Sequence, residues 1–178
     1  MPKSIDRWIA LVAGLAVLAT ANYTIQKREQ LLSDGRVVLL ALAPVDPRSL
    51  MQGDYMALRF AAADAAFGTG APARAVHDGH LVLKLDDRGI GSFNRFDDGT
   101  PPAPDELRMR YRIRDGKPRF ATNAFFFQEG DAARYESARF GEFRVDASGE
   151  AILTGLRAEN LDALGPSPDS FKGNAAAD

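Results

Sequence analysis

The sequence predicts a mainly β protein: a small barrel-like or sandwich-like domain with one or two short helices, preceded by an N-terminal transmembrane helix. Three observations predict this class. Residues 8–25 carry no charged side chain, several later segments alternate apolar and polar residues with the period of a β-strand, and one pair of such segments flanks a turn typical of hairpins. At 178 residues the chain has room for one domain of ordinary size.

The composition excludes several classes of function. The net charge of −2 gives no basic excess of the kind that nucleic-acid binding requires, so we expect no nucleic-acid partner. The chain has no cysteine, which rules out disulfides, thiolate metal sites and cysteine nucleophiles. No cofactor-binding pattern is present either, and we expect none to be bound.

The N-terminal segment Trp8–Ile25 has the length and polarity of a membrane anchor. It spans roughly 27 Å as a helix, against a bilayer core of about 30 Å. Ala19-Thr20-Ala21 also satisfies the small-residue rule for signal-peptide cleavage, but residues 26–32 continue the helical pattern and favour a retained anchor. The basic residues on the two sides balance, so the orientation stays open. We predict an anchor at residues 1–28, a β-rich domain at 29–164 and a disordered tail at 165–178.

The first predicted strands are apolar. Arg36–Ala43 is a continuous apolar run, as expected of a strand covered on both faces. Alternation predicts a strand over Tyr55–Phe60 that turns three side chains inward, namely Met56, Leu58 and Phe60. Leu81–Leu85 predicts another strand, and the alanine-rich segment Ala61–Ala75 between them is expected to be a mobile loop.

Residues 107–114 give the cleanest alternation in the chain. The residues expected to face the core are Leu107, Met109, Tyr111 and Ile113, and those expected to face outward are Arg108, Arg110, Arg112 and Arg114. We call these four arginines the arginine ladder. Because like charges repel, the ladder requires either cross-strand carboxylates such as Asp97 or Glu106, or an anionic lipid or protein surface.

The C-terminal part predicts a hairpin and two helices. Strands ending at Val145 and Leu156 flank a turn at Asp146–Gly149, and Gly141 suggests a bulge in the first of them. Helices are predicted over Glu129–Ala138, with Asp131 as N-cap, and over Ala158–Leu164, before the Gly-Pro stop.

Two further segments could have a functional role. His77 and His80 with Asp78 could bind a metal, but the Asp-Gly pair is typical of a turn and no third ligand is indicated, so we predict no metal site. In Phe125–Phe127, alternation turns at least one ring away from its neighbours. We expect this segment to belong to the core; the alternative, if one face is open, is a contact patch marked by Phe126.

The segment that ends in "MQGDYMALRF", residues 51–60, predicts a structural corner. Pro44 and Pro47 fix the backbone, and Gly53 permits a tight turn into the next strand. An alternative is a signal-peptidase-like Ser/Lys hydrolase with Ser49 as nucleophile and Lys84 as base, a dyad that requires a desolvated amine. The residue types favour the corner, and we lean against an enzyme.

The same stretch resembles the signature of the GDYXXLXY family of bacterial proteins. Gly53, Asp54, Tyr55 and Leu58 match the signature, while Phe60 stands where the family has tyrosine. The resemblance extends upstream through "APVDPRSLMQ" and downstream through "FFFQEG", "ARFGEFRVD" and "GEAILTGL", so that it covers about Glu29–Leu164.

The resemblance implies a single-pass protein of the inner membrane of Gram-negative bacteria, with no established activity and with a periplasmic domain. Family members tend to accompany multi-pass membrane proteins, so it also implies a partner in the membrane. We therefore expect a non-enzymatic accessory or binding domain. The residues expected to contact the partner are Arg48, Asp54, Tyr55, Arg108, Arg110 and Arg112.

Overall fold

The computed structural model describes residues 3–43, 51–52, 55–68 and 77–165. The chain divides into two compact units, Met1–Gly35 and Arg36–Asp178. The first is helical and the second is mainly β, so the predicted fold class is confirmed. Most of the predicted tail lies outside the described ranges.

The N-terminal unit consists of helix α1, Lys3–Asp34, of 32 residues. It is long and apolar enough to cross a membrane, and none of its most apolar window is buried in protein. The hydroxyls of Thr20 and Thr24 donate to the carbonyls of Ala16 and Thr20, both at 2.8 Å, so that these polar groups are satisfied within the helix. The helix continues well past Ile25, as predicted.

The second unit contains a large sheet and a small one. The strands are β1 (Arg36–Ala41), β2 (Met51–Gln52), β3 (Tyr55–Ala57), β4 (Gly79–Leu85), β5 (Ile90–Phe96), β6 (Glu106–Arg114), β7 (Lys117–Arg119), β8 (Ala124–Phe126), β9 (Phe140–Val145), β10 (Ala151–Arg157) and β11 (Ala163–Leu164). The large sheet has the order β11-β10-β9-β1-β5-β4-β6-β7, and the small one β2-β3-β8. Only β1 and β5 are parallel among these neighbours.

The core contains side chains of both sheets. Its largest fully buried side chains are Phe60, Phe120, Phe143, Leu40, Leu81, Leu83, Met109, Leu156, Val38, Val82 and Val145. In the central strand β1, Val38, Leu39 and Leu40 are all buried, as predicted for a strand covered on both faces. The inward residues predicted for Tyr55–Phe60 and the alternation of β6 are also confirmed.

In the described residues the large sheet is open, with β11 and β7 at its edges. The predicted β9–β10 hairpin is present, and its turn reaches β6, where the Arg110 N–H donates to the Gly149 carbonyl at 2.8 Å. Gly149 has φ +85°, and a Cβ there would lie 3.0 Å from the His80 ring. The turn therefore requires glycine both for its backbone conformation and for its close approach to β4 and β6.

The predicted bulge lies on the neighbouring strand instead of at Gly141. Gly141 pairs regularly with Leu40 and Leu156, and the register shift falls in β10 between Leu153 and Gly155. The glycine has a packing role, because a Cβ at Gly141 would lie 2.9 Å from the Phe60 ring.

All three helix and loop predictions need correction. The helix predicted over Glu129–Ala138 is shorter in the structure, where α3 spans Ala132–Tyr135. Asp131 is at the N-cap position, as predicted, but its side chain makes no capping hydrogen bond. The predicted loop over Ala61–Ala75 begins as helix α2, Ala61–Phe67, because the Phe67 ring packs edge-on against Phe96 and Tyr111.

The helix predicted over Ala158–Leu164 is wrong. The segment turns back and forms β11, in which Leu164 pairs with Leu156. The Asn160 side chain accepts from the Asp162 N–H at 3.1 Å, and the Ala158 N–H donates to the Asp162 carbonyl at 2.9 Å. Such local side-chain bonds compete with a helix and stabilise a turn.

Candidate functional site

The candidate site is built around strand β3, which follows Gly53-Asp54 in the sequence. Of the residues expected to act there, Arg48, Ser49, Gly53 and Asp54 lie outside the described ranges, so the predicted corner itself is not described. Tyr55 is described, and it is the first residue of β3. The site therefore consists of an inward face, which belongs to the core, and an outward face, which solvent can reach.

The inward face of this strand is an anchor in the core. Phe60 is 1% exposed, its ring lies edge-on to Phe143 with the centroids 5.2 Å apart, and it lies 6.2 Å from the Phe120 ring. Met56 and Leu58 are buried beside it. The packing of these three side chains, together with the pairing of β3 with β8, fixes the position of Tyr55.

The outward face carries an aromatic pair, Tyr55 and Phe126. These residues are directly opposite each other in the antiparallel pairing of β3 with β8, and their ring centroids are 5.8 Å apart. The Leu58 N–H donates to the Asn123 carbonyl, so Leu58 and Asn123 form a hydrogen-bonded pair of the antiparallel ladder. Such pairs alternate with non-hydrogen-bonded ones, and the Tyr55–Phe126 pair is therefore of the second kind, in which opposite side chains come closest. Phe126 is 73% exposed, the highest value among the large apolar side chains that the structure describes outside α1.

The neighbouring phenylalanines face the other way. Phe125 and Phe127 pack against the core, and their ring centroids lie 5.0 Å and 5.4 Å from that of Tyr135. Of the two alternatives for this segment, the structure therefore supports the contact patch marked by Phe126.

An ion pair secures the end of the same segment. The guanidinium of Arg59 donates from Nε and Nη2 to the Asp64 carboxylate, with an Nη2–Oδ2 distance of 2.9 Å. The bond and the charge of Asp64 raise the pKa of Arg59 above its ordinary value. Since Asp64 lies in the first turn of α2, this pair ties the motif strand to the helix that follows it.

The arginine ladder is paired with carboxylates along β6. Arg108 contacts Asp97 at 3.0 Å, Arg114 contacts Asp78 at 3.2 Å, and Glu150 lies between Arg110 and Arg112. Of these partners, Asp97 could be predicted because it is near Arg108 in the sequence. Glu150 is 38 residues away from Arg112, and Asp78 is 36 residues away from Arg114. Nothing in the local sequence indicates those two partners.

The Lys84 environment differs from that of a catalytic base. Its side chain is 63% exposed, and its ammonium group lies 3.7 Å from the Asp105 carboxylate. A Ser/Lys dyad requires a desolvated amine, and an amine on a side chain this exposed is not desolvated.

The residues between His77 and His80 are engaged in structural contacts. Asp78 accepts from the Ile113 N–H at 2.8 Å and contacts Arg114. That hydrogen bond, followed by those from Arg114, lowers the pKa of Asp78. No group of three metal-ligating side chains lies together in the part of the chain that the structure describes.

Comparison with protein families decides where this chain belongs. The sequence model of the family described as GDYXXLXY protein matches residues 17–156, which is more than half of the chain. The chain belongs to the GDYXXLXY family. The match begins inside the apolar segment of α1 and ends at Leu156 in β10, so it leaves β11 outside.

The fold shows where the residues of the GDYXXLXY signature that the structure describes are located. Leu58 and the aromatic residue at position 60 are core residues, while Tyr55 contributes to the outward aromatic pair. The family has no established activity, and no curated protein and no solved structure matches the chain significantly. Function must therefore be argued from the surfaces of this structure.

Proposed function

We propose that this GDYXXLXY protein is a single-pass membrane-anchored accessory domain, on the periplasmic side, that binds an integral-membrane partner without catalysing a reaction. The observation that carries the proposal is α1, whose apolar window is unburied over a length that suits a bilayer. Exposed apolar side chains on a free helix are costly in water, and a membrane removes that cost.

The chain connectivity keeps the β unit close to that membrane. Only residues 26–35 separate the apolar segment from β1, and as helix they would extend about 15 Å. A domain tethered so closely meets the loops of neighbouring membrane proteins at a high effective concentration. This favours a partner in the membrane over a diffusible substrate.

The Tyr55–Phe126 pair is the surface that best suits a protein contact. Aromatic residues are enriched in interfaces and in the small set of residues that carry most of the binding energy. Phe126 is held by a short strand between two inward-facing phenylalanines, so little conformational entropy is lost when it is covered. The corner residues Arg48 and Asp54 adjoin this pair in sequence and complete the proposed contact.

The test is affinity purification of the full chain in mild detergent. We expect a multi-pass membrane protein to be recovered in stoichiometric amount, and Phe126→Ser to lower its recovery severalfold while the domain stays folded. Val37→Ser, at another exposed apolar side chain (41% exposed), serves as control and should leave recovery unchanged. Repeated recovery of the wild-type chain alone would contradict the proposal.

A further inference from the structure

The β6–β7 hairpin carries two pairs of like charges directly opposite each other. Arg112 on β6 is opposite Arg119 on β7, and Arg114 is opposite Lys117. All four side chains are exposed, whereas Ile113 and Pro118, between them in the register, face the protein interior. Like charges in such positions destabilise a strand pair, so the arrangement has a folding cost that a purely structural role leaves unexplained.

The carboxylates around this hairpin neutralise it only in part. We define the basic face as Arg110, Arg112, Arg114, Lys117 and Arg119. Three carboxylates contact it within the described residues: Glu150 is shared by Arg110 and Arg112, Asp78 contacts Arg114, and Asp115 contacts Arg119. Five cations and three anions leave an excess of two positive charges on the basic face. The net charge of the whole protein is −2.

The geometry of the basic face suits phosphate groups. Side chains two residues apart on a strand are separated by about 7 Å, and opposite side chains on adjacent strands by about 5 Å. Guanidinium groups bind phosphate oxygens in a bidentate manner. Several anionic groups spread over a plane would therefore satisfy the excess charge better than one carboxylate on a side chain.

We propose that the basic face of the β6–β7 hairpin binds the anionic headgroups of phospholipids. This inference rests on the proposed function only in that α1 anchors the chain in the bilayer. The tether of residues 26–35 holds the β unit near that bilayer, and the excess positive charge supplies the complementarity. Arg36, where the tether ends, donates to the Glu106 carbonyl at the opposite end of β6 from the hairpin, so the basic face meets the headgroups only when the domain tilts toward the bilayer. Binding there would fix the orientation of the domain over the membrane and so restrict which surface it presents to a partner.

The test is hydrogen–deuterium exchange of the full chain in lipid nanodiscs. One preparation contains phosphatidylcholine alone, and the other contains phosphatidylcholine with phosphatidylglycerol. We expect amide exchange in residues 112–119 to be slower in the anionic discs, and each basic group to contribute about a fivefold change in the fraction bound to the surface. The difference should disappear at high salt, because at about 1 M the Debye length falls to about 3 Å.

Two double variants with the same change in net charge make the test specific. Lys117→Gln with Arg119→Gln should abolish the difference between the discs, and its melting temperature should be no lower than that of the wild type, because it removes both like-charged pairs. Lys84→Gln with Arg88→Gln removes two exposed cations, each paired with an aspartate, near the other end of the strands. This control should retain the difference.

Three results would overturn the inference. One is equal exchange of residues 112–119 in the two kinds of disc, which would stand against lipid binding even if a protein partner is recovered. Protection of the hairpin only when an acidic protein co-purifies would assign the face to that protein instead. Rapid exchange of the α1 amides in both discs would contradict the anchor, and with it both proposals.

Discussion

The packing of Phe60 on Gly141 shows how one residue of the family signature depends on a residue far along the chain. The Phe60 ring occupies the space where any other residue at 141 would place its Cβ, with contacts of 2.9 Å to Phe60, 3.2 Å to Leu153 and 3.2 Å to Phe143. Gly141 therefore allows the aromatic residue at position 60 to pack closely against β9. This contact positions the strand that carries Tyr55.

At the residue scale we predict that Gly141→Ala destabilises the protein. The added methyl group overpacks a core of Phe60, Leu153 and Phe143, and such changes cost about 1–3 kcal/mol. The free energy of unfolding of the β unit, measured by urea denaturation of the full chain in detergent, should fall by about that amount. Combining Gly141→Ala with Phe60→Leu should recover part of the loss, because the two changes are coupled.

Gly155→Ala is the matched control. Gly155 lies in the adjacent strand, and a Cβ there would meet nothing within 4 Å. Alanine is favoured over glycine within a strand by about 0.5–1 kcal/mol, so this variant should be neutral or slightly more stable. Equal destabilisation by the two substitutions would show that the Phe60 contact is not the cause.

At the scale of elements, three aspartates hold turns and strand ends by accepting backbone hydrogen bonds. Asp78 accepts from the Ile113 N–H, Asp86 from the Ile90 and Arg88 N–H groups, and Asp98 from the Thr100 N–H. In each case a backbone hydrogen bond is the largest cause that lowers the pKa of the carboxyl below its ordinary value. The charged forms therefore bind these turns more strongly than the protonated forms would.

We predict that stability falls as the pH drops below about 4, the ordinary pKa of aspartate. Because the folded-state pKa values are lowered, the unfolded chain binds more protons in acid, and stability is lost as the pH falls through the folded-state values. Urea midpoints from pH 7 to pH 2 measure this. The triple variant Asp78→Asn, Asp86→Asn and Asp98→Asn should be less stable at pH 7 and change less with pH.

Asp87→Asn provides the comparison for that experiment. Asp87 is exposed in the same turn as Asp86, and its side chain accepts no hydrogen bond within the described part of the chain. Its substitution should leave the pH dependence of the wild type intact. A triple variant whose midpoints decline in acid as steeply as those of the wild type would refute the assignment of this dependence to the three turns.

The elements that sequence reasoning predicted are those whose signal is local. The alternation of residues 107–114 and the Asp146–Gly149 turn each reflect the chemistry of one short segment, and both are confirmed. Helix α2 was missed because its alanines give no periodic signal, and only the packing of Phe67 in the folded protein explains it. Leu161 adopts φ +69°, a tertiary constraint that composition does not indicate.

The sequence predicted individual residues of the candidate site but not which of them lie next to each other. The inward residues of Tyr55–Phe60 follow from alternation, and Phe126 marked the alternative to the expected core. That Tyr55 lies opposite Phe126 depends on the pairing of β3 with β8, which joins segments far apart in the chain. The same is true of the like-charged pairs of the β6–β7 hairpin, because Lys117 and Arg119 acquire their significance only from the register with β6.

At the scale of the whole molecule, the decisive question is whether α1 is retained. The helix is continuous from Lys3 to Asp34, whereas a signal peptide cut after Ala21 would leave only its last part on the mature protein. Continuity of the helix into β1, with Gly35 alone between them, favours a segment that stays attached. The family match also begins at residue 17, inside the segment that cleavage would remove.

We therefore predict that the protein isolated from bacterial membranes has the mass of the intact chain, 19.3 kDa, and resists extraction by alkaline carbonate. The matched control is Ala19→Leu with Ala21→Leu, which abolishes the small-residue cleavage pattern and keeps the segment apolar. Masses that differ only by the two substitutions support the anchor. A wild-type protein that is lighter than the control by about 2 kDa, as expected if roughly 21 residues are removed at the cleavage pattern, would establish cleavage, and a topology reporter fused after Leu164 would then identify the compartment that receives the released domain.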